Sequence, residues 1–152
     1  MWRYLLLVVF IIGCSHNPDL KKERSTILKM LATEKDAHFK KDVDLFISEF
    51  ADSMLNVNKG KVTAPSRDEH KEKISNYFNA VQFIKWDDIA EPLIRFSDDG
   101  SLAYAVVQKE VILSYPDSTG KPFYDTTHYA WTSIYRKHND GWKIEANIST
   151  NK

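Results

Sequence analysis

The sequence predicts an α+β domain with three N-terminal helices packed on one face of a curved antiparallel sheet, and three observations predict it. Apolar residues recur at helical spacing as far as Asn79. Beyond that point the runs are rich in β-branched and aromatic residues, which suit strands. Turn chemistry separates those runs at Ser97-Asp98-Asp99-Gly100, Pro116-Asp117-Ser118-Thr119-Gly120 and His138-Asn139-Asp140-Gly141. Helices grouped early and strands grouped late is the order of an α+β domain rather than of an alternating α/β one.

The first helix is marked from Ser25 by Ile27, Leu28, Leu31, Ala32 and Phe39, with Ser25 or Thr26 placed to cap it and an end near Lys41. Asp42 is the expected cap of a shorter helix carrying Val43, Phe46, Ile47 and Phe50. Asn58-Lys59-Gly60 lies between Met54 to Val57 and Lys61 to Thr63, which predicts a small hairpin. Ser66-Arg67-Asp68-Glu69 satisfies the capping-box pattern and opens a third helix with Ile74, Tyr77 and Phe78 on its apolar side. The expected strands are 81–86, 89–96, 102–113, 128–135 and 142–148, joined as an antiparallel meander. Pro92 cannot donate to a ladder and marks a bend, bulge or edge.

Ahead of this domain, Met1-Trp2-Arg3 carries a charge and Tyr4 to Ile12 carries none. A spanning helix needs about 20 apolar residues, and Gly13, Cys14, Ser15, His16, Asn17 and Pro18 interrupt this run first. It has the form of a secretory leader. Ile11-Ile12-Gly13-Cys14 resembles the lipobox of bacterial lipoproteins, and the resemblance implies a chain cut before Cys14 and lipidated on it. The expected organisation is therefore a signal peptide over residues 1–13, a lipidated tether over 14–24 and one domain over 25–152. The expected location is the bacterial cell envelope, anchored by lipid, with Ser15 resembling outer-membrane sorting.

Cys14 is the only cysteine among 152 residues, so the domain is expected to fold without an intrachain disulfide. Lys+Arg and Asp+Glu are balanced at 21 each, and no basic stripe for nucleic acid is present. Four Trp, seven Tyr and eight Phe are enough to build a core or to line a pocket in it. The sequence carries no glycine-rich phosphate loop and no His-x-His or His-Glu-x-x-His spacing, so neither a cofactor nor a metal is expected.

Four segments resemble the nuclear transport factor 2-like superfamily, in particular its SnoaL-like branch, over residues 25–151: Lys41 to Phe46, the Asn58-Lys59-Gly60 hairpin, Arg95 to Gly100, and Asp140 to Ile144. The resemblance implies a cone-shaped fold in which the sheet wraps the first helix and leaves a pocket at its open end. It also implies isomerases, cyclases, dehydratases and non-catalytic binders among the relatives, and often a dimer through the sheet. Function has to be argued from the site.

The candidate residues follow from spacing. Glu34 and His38 stand at i and i+4 on one face of the first helix, close enough for a carboxylate to orient an imidazole as a general base. The same spacing fits an ordinary helical pair at the core boundary. Gln108 and Glu110 share one face of the long strand and Lys109 takes the other. Gln108 and Glu110 are the expected ligand contacts if their face is inward, and Lys109 makes a cationic pocket if it is. His128 and Trp131 lie on a strand that would form part of the pocket wall, as do Tyr135, Trp142 and Asn147. Asp68-Glu69-His70 is expected to serve the helix start, and Asp87-Asp88 has no role legible in the sequence.

These readings predict a membrane-anchored module that binds a small apolar or amphipathic ligand, or a partner protein, without catalysis. The alternative is a small isomerase, cyclase or hydrolase in which Glu34 and His38 move protons. An inward acid or base beside a roomy apolar cavity favours the enzyme.

Overall fold

The computed structural model describes residues 18–150, so Cys14 and the leader expected before it lie outside the described residues. Helix α1 (Leu20–Lys40) is capped by Asp19, whose carboxylate accepts from the Lys22 amide at 3.1 Å. The helix thus starts upstream of Ser25, and residues 20–24 belong to it rather than to a tether. Apolar spacing misses this turn because its inward residue is the charged Glu23. The buried face runs Ile27, Leu31, Glu34, Ala37 and His38, while Leu28 and Phe39, expected on it, stand in solvent.

Lys41 takes the left-handed conformation that stops α1, and Asp42 accepts from the Leu45 amide at 2.9 Å to start α2 (Val43–Ser48). Strands β1 (Phe50–Asn58) and β2 (Lys61–Thr63) form the expected hairpin. Its turn places both Lys59 and Gly60 at positive φ, the pattern of a two-residue turn that follows strand twist. Helix α3 (Arg67–Ala80) opens on the capping box of Ser66 and Glu69.

The remaining strands are β3 (Gln82–Asp88), β4 (Leu93–Phe96), β5 (Leu102–Pro116), β6 (Pro122–His138) and β7 (Gly141–Thr150). Sheet order is β2-β1-β7-β6-β5-β3, with β4 also against β5. Strands β3 and β4 follow one another along the same edge of β5, and the chain leaves the ladder around Pro92 between them. Strand β6 begins well before His128 because it stays paired with β5 out to Pro116↔Pro122, through polar residues that hydrophobicity does not mark. The sheet is antiparallel except where β1 joins β7 in parallel. Register shifts with extra residues in β1, β3 and β7 bend the strands, and the unclosed sheet curves around the helices as a cone.

Both long strands send alternate residues inward. Ala103, Ala105, Val107, Val111 and Leu113 from β5 meet Trp131 and Tyr135 from β6 and Ile27, Leu31 and Phe78 from the helices. At the start of α1, Glu23 accepts from the Lys137 ammonium and from the Trp142 indole, each at 2.6 Å, and ties the helix to β6 and β7. These bonds, first Lys137 and then Trp142, hold the Glu23 carboxyl below its usual range.

Candidate functional site

At the other end of α1 the polar residues have different company. His38 is buried in an aromatic cluster, stacked on Trp86 with ring centroids 3.9 Å apart and met edge-on by Phe46 and Phe83. Its Nδ1 lies 2.7 Å from the backbone oxygen of Glu34. A carbonyl oxygen only accepts, so Nδ1 carries the proton and donates, leaving the lone pair of the neutral ring on Nε2. Burial pushes the imidazole down to about 4, so it is uncharged at neutral pH. The expected pairing is thus corrected in its atoms, since the main chain of Glu34 and not its carboxylate orients the ring.

That leaves the Glu34 carboxyl unengaged. It is 8% exposed and no hydrogen bond reaches it among the described residues. Burial raises it to about 7, the Lys109 ammonium works against that rise, and the negative charges of Glu49 and Asp88 add to it. Lys109 is 2% exposed and donates to Asp88 at 2.6 Å. Its place opposite Asp88 in the β3–β5 register gives the second aspartate of Asp87-Asp88 its role; Asp87 takes Lys35 of α1 at 2.9 Å.

Glu34 and His38 form one wall of a pocket of about 350 Å³. Phe46, Phe50 and Met54 from α2 and β1 supply a second wall, with Asn56 and Asn58 continuing it. Helix α3 adds His70, Lys73, Ile74 and Tyr77, and the sheet adds Trp86, Tyr129, Trp131, Asn147 and Ser149. A volume of this size is in the range of small-molecule sites, and its lining mixes apolar and aromatic residues with polar ones in equal measure. His70 meets the face or edge of Phe50 with centroids 4.8 Å apart and is pushed down to about 4 by burial, with Lys73 and Arg67 adding to the effect. It lines the pocket besides sitting in the first turn of α3.

The structure brings Glu34, His38 and Trp131 together in this wall and separates Gln108, Glu110 and His128 from it. Alternation along β5 puts Val107, Lys109 and Val111 inside, so Gln108 and Glu110 are turned to the outer face. Glu110 pairs in register with His128, whose Nε2 is 3.2 Å from it, and also takes the Lys85 ammonium. Their expected place in the pocket is therefore corrected. Sequence reasoning passed over Asn56, Asn58, Lys73 and Tyr129 as pocket residues. It also passed over the pocket side of His70, although His70, Ile74 and Tyr77 share the helical spacing that marks one face.

No protein-family model matches the chain, and no curated protein matches it. Solved structures do. A nuclear transport factor 2-like superfamily protein from Salmonella enterica serovar Typhimurium is similar with a TM-score of 0.72 at 17% identity, over 87% of this chain and 92% of that one. A nuclear transport factor 2-like protein from Cytophaga hutchinsonii gives a TM-score of 0.68 at 14% identity, over 86% and 98% of the two chains. A ketosteroid isomerase-like protein from Erwinia carotovora atroseptica gives 0.66 at 18% identity, over 84% and 95%. The chain thus has the nuclear transport factor 2-like fold.

Proposed function

We propose that the domain binds a small apolar or amphipathic molecule in the cone pocket, as a SnoaL-like module held at the cell envelope by lipid on Cys14. One observation carries the binding reading. A pocket of about 350 Å³ with both aromatic and polar walls holds Glu34, a carboxyl with no hydrogen bond among the described residues, beside an imidazole whose Nε2 lone pair is left over. Groups of this kind that open on a cavity are free to hydrogen-bond with a molecule that enters it. Native mass spectrometry of the purified chain tests it: a small molecule should travel with the wild type and be reduced in Glu34→Gln and His38→Asn. A wild-type chain that is always empty, and that takes up no added apolar compound, counts against binding.

The lipid anchor has its own test. Cys14→Ser should accumulate as an unlipidated precursor, and a processed, acylated product from that variant would remove the anchor from the reading. The outer face of the sheet is the proposed surface for any dimer.

Proton transfer is the second reading, and a specific observation favours it. Glu34 is held near neutrality beside His38, which suits a general acid or base working at physiological pH. The ketosteroid isomerase-like name of one structural neighbour is in keeping with that chemistry. Glu34→Gln separates the two. A catalytic Glu34 predicts retained uptake with turnover abolished, whereas a binding Glu34 predicts weakened uptake.

A further inference from the structure

The fold leaves little of the tether expected over residues 14–24. Helix α1 begins at Leu20, and Pro18 is seated against the β4–β5 turn, where Gly100 is buried at positive φ and a Cβ on it would stand 2.6 Å from the Pro18 Cβ. The first turns of the helix are fastened down as well, Glu23 to Lys137 and Trp142 of the sheet and Arg24 to Glu91 of the β3–β4 connection at 2.7 Å. The chain that leads back to Cys14 therefore leaves the domain from one defined point. Only Ser15, His16 and Asn17 separate Cys14 from Pro18, and four steps of chain reach at most about 14 Å.

That point lies at one end of the molecule. The β6–β7 turn joins the β4–β5 turn there, since the Lys137 amide donates to the Ser101 oxygen at 2.9 Å. The tip of the β5–β6 hairpin, past Pro116 and Pro122, lies at the other end of the 17-residue strand β6, which spans up to about 55 Å. Glu34 of the pocket is about 20 Å from Leu20 along the helix axis, at about 1.5 Å per residue. A body of this length on about 14 Å of chain cannot turn over, so the Pro18 end stays close to whatever holds Cys14. The surface at that end carries both signs of charge: Leu20 is 43% exposed with Lys21 and Lys22 exposed beside it, and Asp98 and Asp140 stand exposed in the two turns. Two lysines fall short of the about four to eight basic residues that draw a segment to anionic lipid, which leaves the holding to the tether.

We infer that the end formed by the start of α1, the β4–β5 turn and the β6–β7 turn is the membrane-facing surface of the domain, held against lipid headgroups by the short chain to Cys14. The inference rests on the lipid anchor of the proposed function and adds to it which face meets the bilayer. Energy transfer tests it on the full chain, recovered from the membranes of an expressing bacterium and reconstituted in phosphatidylcholine vesicles that contain acceptor-labelled lipid. The donor dye is placed on Asn139→Cys in the β6–β7 turn or on Ser118→Cys at the β5–β6 tip, both exposed positions, since an acylated Cys14 takes no dye.

Transfer from position 139 should be strong, transfer from position 118 should be nearly lost, and the contrast should persist in high salt. Inserting about 20 Gly and Ser residues after Asn17, a coil spanning about 25 Å, should bring the two donors to similar transfer. Equal transfer without the insertion, or stronger transfer from position 118, overturns the assigned face, while flotation of the chain with the vesicles keeps the anchor. A contrast that vanishes in salt, or that outlasts the insertion, overturns the tether as its cause. A chain that does not float with the vesicles and whose mass shows no acyl groups removes the anchor and the inference together.

Discussion

Glu23 and Glu34 share the buried face of one helix about three turns apart, and the fold treats the two carboxyls in opposite ways. Glu23 is met by an ammonium and an indole, and these donors hold it ionised. Glu34 is met by aromatic rings and a cavity, and burial leaves it near 7. A carboxylate that fastens helix to sheet comes with its donors built in, because an unpaired buried charge costs more than most single contacts return. At the other end of the same helix no donor hydrogen-bonds to the Glu34 carboxyl among the described residues, and that difference separates a structural acid from a candidate functional one.

The largest expected effect comes from Glu34→Gln, and its sign depends on pH. Below 4.5 the carboxyl is protonated in both folded and unfolded chains and adds nothing. As pH rises toward 7 the unfolded chain sheds the proton while the folded chain keeps it, so stability is lost across that window. At about 1.4 kcal/mol per pH unit the loss reaches about 3 kcal/mol once Glu34 is ionised. The glutamine, which cannot ionise, should therefore match the wild type near pH 4.5 and be more stable by up to that amount above pH 7. Urea unfolding at a series of pH values checks it, and a difference independent of pH would break the contrast between the two acids.

Glu23→Ala should act in the opposite direction. A carboxyl held below its usual range contributes stability that is present above that range and is lost as pH falls through its folded value. Removing it also leaves the buried Trp142 indole without its acceptor, at about 1 to 3 kcal/mol. The variant should be less stable at pH 7, and its deficit should narrow in acid to the part that the orphaned indole leaves. If its deficit were as large at low pH, the loss would lie in packing rather than in the ionised bonds.

A smaller effect sharpens the Glu34 side. Lys109→Met removes the positive charge that restrains Glu34, while Asp88, which is partly exposed, turns to water. The Glu34 carboxyl should then titrate above its wild-type value in a carbon-detected NMR titration. An unchanged value would mean that Lys109 and Glu34 do not feel one another across the core.

Much of the fold was legible because its signals are local. Asp42, Ser66 with Glu69, and Asn58-Lys59-Gly60 act on neighbouring amides, so the cap or turn can be read where it stands. The long first half of β6 was hidden because Tyr124, Thr126 and His128 are exposed and the segment is a strand only by virtue of β5 beside it. Within the site, Glu34 and His38 could be singled out as polar residues continuing an apolar stripe. The inward parity of Lys109 was there in Val107 and Val111, yet a lysine among inward residues has no explanation until β3 brings Asp88 opposite it. Which carboxylate meets which ammonium is fixed by strand pairing, and pairing is not written in the order of residues.

The smallest effect is expected on the outer face, where Gln108, Glu110 and His128 lie. Glu110 accepts from Lys85 and meets His128 across the β5–β6 pair, and both partners are reached by solvent. Exposed pairs of this kind gain little, because water competes for each charge and ordering two long side chains offsets the attraction. Glu110→Gln with His128→Ala should therefore leave the urea midpoint near that of the wild type. Ligand uptake in the pocket should also be unchanged, since β5 and β6 turn these side chains to the outer face. Loss of binding in this double variant, with the fold intact by circular dichroism, would move the ligand site to the outer face and undo the division of labour argued for the two ends of α1.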